Sequence, residues 1–162
     1  MKQKLFLQIK NSPQRGFATL PTVMILSIMS LAVTLGITAV ALTESFISQG
    51  SAQSSRALFY AESGARDALV KVARKKNYTC VSADCYAIDF STNGCSLGND
   101  CAKVSVSAGV GTTADPKIIT SKGIMKSSSR TVTISVVLDN GTITPGNQHG
   151  VITSTIWTES TN

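Results

Sequence analysis

Charged side chains are scarce in this 162-residue chain: they make up 15% of it, whereas hydrophobic residues make up 43%. A disordered chain needs the reverse balance, so that class is excluded. No acidic residue precedes Glu44, and the first sixteen residues hold four of the fifteen basic ones, Lys2, Lys4, Lys10 and Arg15. Beyond them eleven basic residues face nine acidic ones, so the net charge of +6 falls to +2. The positive charge therefore belongs largely to a leader and does not indicate a nucleic-acid-binding surface.

Residues that could build an active site are also few. His149 is the one histidine, the nine carboxylates are scattered, and neither a G-x-S-x-G turn nor a phosphate-binding glycine loop occurs. No nucleophile–base pair can be assembled from these residues. We therefore expect no enzyme, no cofactor and no metal, and we expect Trp157 to anchor the core rather than to stack on a ligand.

One long uncharged run is present, from Phe17 to Leu42: 26 residues, of which 18 are apolar. As a helix it would reach about 39 Å, enough to cross a hydrocarbon core of about 30 Å. Because the basic residues all lie on its N-terminal side, residues 1–16 should face the cytoplasm and the rest of the chain the outside.

Two other interpretations of this run remain open. A buried core helix would need a partner on every side, and the 120 residues after Leu42 are too polar to supply one. A secretory signal peptide would end at Ala39-Val40-Ala41, with cleavage after Ala41. The apolar stretch is about twice as long as the apolar region of such a peptide, which favours a retained helix.

The leader ends in Gln14-Arg15-Gly16-Phe17-Ala18-Thr19-Leu20-Pro21. A short basic leader closed by glycine, then phenylalanine, then a long apolar helix resembles the class III signal of type IV pilins. The resemblance implies that a prepilin peptidase cuts between Gly16 and Phe17 and methylates the new amino terminus. It also implies assembly in which residues 17–42 pack against other pilin or pseudopilin subunits. The small residues Ala32, Gly36 and Ala39 would allow that close approach.

The fifth mature position departs from the family, because it holds Pro21 where pilins usually carry glutamate. In the family that glutamate is thought to neutralise a neighbouring subunit's amino terminus, a charge that would be costly to leave unpaired in a filament. Pro21 cannot make this contact, which favours a subunit used sparingly or at a filament end. Proline is itself tolerated in the first helical turn.

A second motif covers residues 56–69, R-A-L-F-Y-A-E-S-G-A-R-D-A-L. It resembles the corresponding helix of PilX-type minor pilins. Independently, Leu58, Leu69 and Val72 recur with Ala61 and Ala65 at three- and four-residue steps, which predicts an amphipathic helix packed by that stripe. We expect residues 43–77 to continue the first helix, with a break near Gly50. The cations Arg74, Lys75 and Lys76 suit a helix end, and a DNA-binding role for them has little support.

Four cysteines, Cys80, Cys85, Cys95 and Cys101, lie in residues 78–162, which we expect to form a small outer domain. Disulfides persist outside the cytoplasm and commonly stabilise small exported domains. Three pairings are open, and the shortest loops favour Cys80–Cys85 with Cys95–Cys101. A zinc site with four thiolates is the alternative, although the spacing fits it poorly.

The rest of the outer domain predicts strands. Val132, Ile134, Val136 and Leu138 alternate with polar residues over 130–138, Asn140-Gly141 favours a hairpin, and residues 142–144 begin a short return. Further strands are expected at 103–106, 117–125 and 151–157. The fold class is therefore α+β, a long N-terminal helix packed on a small antiparallel sheet, similar to pilins.

The sequence thus favours a minor pilin or pseudopilin, a single-pass protein of the inner or cytoplasmic membrane that later reaches a pilus or the cell surface. Its expected partners are other pilin subunits, the prepilin peptidase and the membrane; DNA or a host surface has no supporting motif. The alternatives are a secreted β domain cleaved after Ala41 and a signal-anchored surface protein that never polymerises.

Overall fold

The structure, a computed structural model, describes residues 19–139 and 148–161. These form one helix, α1 (Thr19–Arg74), and five strands, β1 (Tyr86–Asp89), β2 (Cys101–Val106), β3 (Lys117–Met125), β4 (Ser128–Leu138) and β5 (Ile152–Thr161). The strands make one sheet in the order β1-β2-β3-β4-β5, and every neighbouring pair is antiparallel. The chain divides into two compact units, one up to Phe46 and one from Ile47 onward. The expected α+β, pilin-like fold class is confirmed.

Helix α1 passes through Gly50 without interruption, so the break expected there is absent. A glycine costs a helix only about 1 kcal/mol relative to alanine, and its good helix-forming neighbours Gln49, Ala52 and Gln53 outweigh this penalty. At the other end the helix stops at Arg74, two residues before Lys76. Pro21 is the third helical residue, where its missing N–H would have had no partner within the helix.

The strands follow the predicted alternation closely. Buried and half-buried residues alternate along all nine residues of β3, and the same holds from Val132 to Leu138 in β4. Strand β1 was not predicted, although Tyr86, Ile88 and Phe90 show the same period of two. The predicted turn at Asn140-Gly141 and the return at 142–144 lie outside the described residues.

Small residues bring α1 onto the sheet. Its buried face carries Ala57, Ala61, Gly64, Ala65 and Ala68, and ends in Val72. A Cβ atom added to Gly64 would lie 2.5 Å from Oγ of Ser121 and 2.9 Å from Val104. The helix backbone therefore rests almost directly on β2 and β3.

The predicted stripe of Leu58, Ala61, Ala65, Leu69 and Val72 is partly buried, and its two alanines are fully enclosed. Val72 is fully enclosed, whereas Leu58 and Leu69 are half-buried at the flank of the helix. The alanines between them, rather than the leucines, occupy the centre, because only small side chains fit under so close a helix. The core is completed by residues of the sheet, chiefly Val104, Val106, Ile119, Val132, Ile134, Val136 and Leu138.

The end of α1 is tied to the far end of the sheet. Gly150 N–H donates to the carbonyl of Ala73 at 2.9 Å, and Lys76 N–H donates to the carbonyl of Gln148 at 2.8 Å. The Lys76 side chain is almost buried and its Nζ lies 3.0 Å from Oδ1 of Asp139. Lys76 is thus a structural cation, and only Arg74 and Lys75 of the basic triplet are exposed.

Strand β5 lies beyond the cover of the helix. Apart from Ile152, all its residues are exposed. Trp157 is 40% exposed, so its expected role as a core anchor is wrong. Helix α1 packs over β2, β3 and β4, and its Arg66 guanidinium lies 5.5 Å from the ring centroid of Trp157.

Candidate functional site

The first half of α1 is an exposed apolar helix. It contains an 18-residue window of mean hydropathy 2.3, none of it buried against the rest of the described chain. Several of its hydroxyls bond back to the helix itself: Ser27 donates to the carbonyl of Val23 at 2.9 Å and Thr34 to that of Ser30 at 2.7 Å. Thr38 does the same with Thr34. These polar groups are therefore satisfied without water, as a helix in hydrocarbon requires.

Two different faces of this segment carry its small and its hydroxyl side chains. At 100° per residue, Ala32, Gly36 and Ala39 share one face, while Ser27, Ser30, Thr34 and Thr38 lie on roughly the opposite one. Nothing lies within 4 Å of a Cβ placed on Gly36, which opens a shallow groove beside Ile37, Val40 and Ala41. A second helix could approach closely along this small-residue face.

The residues expected to be processed, Gly16 and Phe17, lie outside the described residues. Pro21 is placed in the first turn of α1, and the first carboxylate along the chain is Glu44, more than six helical turns later. The first turns of α1 in the described residues therefore carry no carboxylate.

The four cysteines form the two disulfides favoured by loop length. Cys80–Cys85 has a Cα–Cα distance of 5.6 Å and Cys95–Cys101 one of 4.9 Å. With all four sulfurs oxidised, the alternative of a zinc site loses its thiolates. Among residues 19–139 and 148–161, no three His, Cys, Asp or Glu side chains cluster as metal ligands would.

The disulfides close the segments on either side of β1, and Tyr60 of α1 packs on the second of these segments. The backbone of Cys80 forms an isolated β-bridge with Val106 at the end of β2. The Cys95–Cys101 disulfide closes the loop that follows β1. Tyr60 of α1 stacks on Phe90 of that loop, with ring centroids 4.3 Å apart, and its hydroxyl donates to Asp100 at 2.9 Å. Burial and the Asp100 carboxylate raise the pKa of Tyr60.

The motif of residues 56–69 is accounted for by these contacts. Its alanines and Gly64 line the sheet, Tyr60 packs on the disulfide loop, and two i,i+4 ion pairs with the acid first form along the helix. Glu62–Arg66 and Asp67–Lys71 measure 3.9 and 2.9 Å. Phe59 remains 62% exposed, and this exposure could not be read from the helical period alone.

The remaining polar candidates do not converge on one cleft. His149 is exposed beside buried Gly150, and Lys117 is buried with its Nζ donating to the carbonyl of Tyr78 at 3.0 Å. Burial lowers the pKa of that lysine. Sequence reasoning missed Lys117, which nothing in the alternation of β3 marks as a buried cation.

The architecture, a long N-terminal apolar helix on a small disulfide-bonded antiparallel sheet, is compatible with a pilin-like protein. No protein-family model, no curated protein and no solved structure matches the chain at significant similarity. Its function must therefore be inferred from the chain itself.

Proposed function

We propose that this chain is a minor pilin or pseudopilin, a structural component of a type IV pilus or related filament. It is cleaved after Gly16, methylated on Phe17 and assembled through its N-terminal helix. The observation that carries the proposal is the difference in environment between the two halves of α1. Its first half is apolar and wholly exposed, while its second half is packed on a sheet by alanine and glycine.

An exposed apolar helix of this length needs a cover of lipid or of other helices. A pilin uses both in succession, first in the membrane and then in the filament. The hydroxyls that donate to carbonyls of the same helix, and the small-residue face of Ala32, Gly36 and Ala39, suit both the membrane and the filament.

Pro21 supports a position that is rare or terminal in the filament. A subunit in the body of the fibre would meet the amino terminus of its neighbour with no carboxylate. An unpaired ammonium in that apolar surrounding is strongly unfavourable. A subunit at the tip, or one incorporated sparingly, avoids most of that penalty.

The decisive measurement is the amino terminus of the mature protein, determined by mass spectrometry on the membrane and sheared-filament fractions. The proposal expects N-methylated Phe17 in both fractions. Gly16→Val should leave the leader attached, whereas Gly36→Val, a matched change inside the helix, should not affect cleavage.

The two alternatives give different termini in the same experiment. A conventional secreted domain would begin at Leu42, and a signal-anchored surface protein would retain Met1. A chain cut at Phe17 but absent from sheared filaments, with no other pilin-like subunit copurifying, would contradict assembly even though processing was correct.

A further inference from the structure

The sheet has two edge strands, β1 and β5, and they differ in how far they are protected against pairing with an added strand. Strand β1 has four residues and is flanked by Lys71, whose Nζ lies 3.3 Å from the Tyr86 ring centroid. Strand β5 has ten residues, and in the described part of the chain no strand pairs with its outer edge. An edge of that length presents a row of backbone donors and acceptors to any extended chain.

Strand β5 lacks the devices that usually block strand addition. Its sequence, I-T-S-T-I-W-T-E-S-T, contains no lysine, arginine or proline. Its one charge, Glu159, is held by Arg130 at 3.1 Å. The irregularity in its pairing with β4 lies at Val137/Leu138, so the ladder from Ser154 to Thr161 is regular. The edge is therefore regular and nearly neutral, and it fits an uncharged partner segment.

Apolar side chains stand on both faces of this strand. Ile156 is 63% exposed on the face away from the helix, and Trp157 is 40% exposed on the helix side. An added strand would place its own side chains beside both, and such cross-strand pairs are the main stabilising unit of a sheet. Backbone pairing and apolar contact would thus reinforce each other along one edge.

The topology decides what kind of strand can be added. Helix α1 lies along the sheet, with Ala57 against Gly123, Gly64 against Ser121, and Ala73 at Gly150. It therefore runs opposite to β3, and hence opposite to β1 and β5. If the β5 of a second copy paired antiparallel with this β5, a twofold axis normal to the sheet would relate the two copies. The α1 helices of the two copies would then run in opposite directions.

Subunits of one filament carry their helices in the same direction. Antiparallel pairing of β5 with β5 is therefore unsuitable for them. A neighbour of the same fold could offer only β1 or β5, and both would arrive parallel to β5, the weaker arrangement. An antiparallel addition needs an extended segment from a protein of another fold.

We propose that the outer edge of β5 is a strand-addition site for an extended, uncharged segment of a non-pilin protein located outside the membrane. The segment runs antiparallel to β5 and places apolar residues beside Ile156 and Trp157. This inference rests on the proposed function, since it uses the common direction of assembled helices. It would let the subunit carry a second protein on the filament.

The test uses the full-length protein in its own cells, with the photoreactive residue p-benzoylphenylalanine at Ser154, Ile156 or Thr158. Adducts are mapped by mass spectrometry to the residue captured in the partner. Antiparallel addition predicts that moving the probe two residues forward moves the captured residue about two residues backward. Val110, 61% exposed and outside β5, is the matched control position.

A second variant tests the edge itself. Ile156→Lys introduces the charge with which natural edge strands prevent pairing, and it should lower the yield of adduct from Thr158 about tenfold or more, equivalent to the loss of one good contact. Val110→Lys should leave that yield unchanged. Because Ile156 is exposed, folding should survive, and an unchanged thermal unfolding curve checks this.

The proposal would be overturned by adducts to a second copy or to a pilin-fold subunit. It would also be overturned if the captured residues did not move in reverse order, or if Val110 captured the partner equally well. The absence of any adduct would overturn it as well. A mature chain that begins at methylated Phe17 and is found in sheared filaments without β5 adducts would refute this inference alone. A chain that keeps Met1 or begins at Leu42 would refute the proposed function instead.

Discussion

Gly123 of β3 lies so close to Ala57 of α1 that the carbonyl oxygen of Ala57 occupies the space that a Cβ atom would take. The backbone nitrogen of Ala61 would be 2.5 Å from the same Cβ. Backbone thus meets backbone here, with no flexible side chain that could move aside. The glycine is required by the proximity of the helix rather than by a special backbone angle.

We therefore expect Gly123→Ala to destabilise the sheet unit by about 1–3 kcal/mol, because helix and strand must separate. Gly50→Ala is the control, since nothing lies within 4 Å of its Cβ, and it should stabilise α1 by about 1 kcal/mol. Thermal unfolding of the full chain in micelles, followed through Trp157, measures both. Equal effects of the two changes would contradict the close contact.

Loss of either disulfide should lower the free energy of unfolding by about 2 kcal/mol, the value expected for such short loops. The variants are Cys80→Ser with Cys85→Ser, and Cys95→Ser with Cys101→Ser. Loss of the second pair should also free the Phe90 loop, so that Tyr60 loses its stacking partner. Denaturant titration and the mass of the untreated chain, four hydrogens below the reduced mass, check this prediction. A chain whose mass does not change on reduction would disprove it.

The pair Lys76–Asp139 should be worth more than the pair Lys103–Asp84, although both have nitrogen–oxygen distances of 3.0 Å. The Lys76 side chain is 9% exposed, so Asp139→Ala removes the carboxylate that faces a nearly buried cation and should cost about 2 kcal/mol or more. Asp84 is half exposed, and Asp84→Ala should cost less than about 1 kcal/mol. Urea titration of both variants at pH 7 compares them, and a larger loss from Asp84→Ala would refute the assignment.

Alkaline pH should destabilise the protein through Tyr86. Burial raises the pKa of its hydroxyl, and the neighbouring Asp67 carboxylate raises it further. The unfolded tyrosine loses its proton near pH 10, while the folded one keeps it. The stabilisation is therefore complete below pH 10 and is lost progressively above it.

Tyr86→Phe removes this linkage, so its free energy of unfolding should fall less than that of the wild type between pH 9.5 and 11. Their difference at pH 8 serves as the reference, because the hydroxyl is uncharged in both states there. The disulfides are checked by mass at each pH. Parallel curves for the two proteins would exclude Tyr86 as the titrating group.

A large side chain at Gly36 should impair assembly. Gly36→Leu fills the groove beside Val40 and should reduce incorporation into sheared filaments about fivefold, corresponding to a loss of about 1 kcal/mol in helix packing. Leu35→Ile changes the shape of an adjacent residue without filling that groove, and serves as the control. Quantitative immunoblotting of filament and membrane fractions measures the ratio, and equal incorporation of both variants would argue against this packing face.

Local regularities in the chain were enough to predict much of the fold. The period of two located β3 and most of β4, and loop length favoured the two disulfides that form. The one short strand missed, β1, carries the same alternation in Tyr86 and Ile88. The helix was read correctly as apolar and then amphipathic, but its continuity through Gly50 was not, since the cost of one glycine is small against the helix-forming tendency of its neighbours.

The sequence alone determined the apolar helix and the alternating strands and favoured the two short-range disulfides, because each depends on residues close together in the chain. Tertiary structure decided which side chains are enclosed. It buried Lys76 and Lys117, enclosed Ala61, Ala65 and Val72 of the predicted stripe while leaving its leucines half-buried, and left Trp157 and Ile156 on an open edge. These outcomes depend on how far the helix reaches across the sheet, a distance that local sequence patterns do not contain.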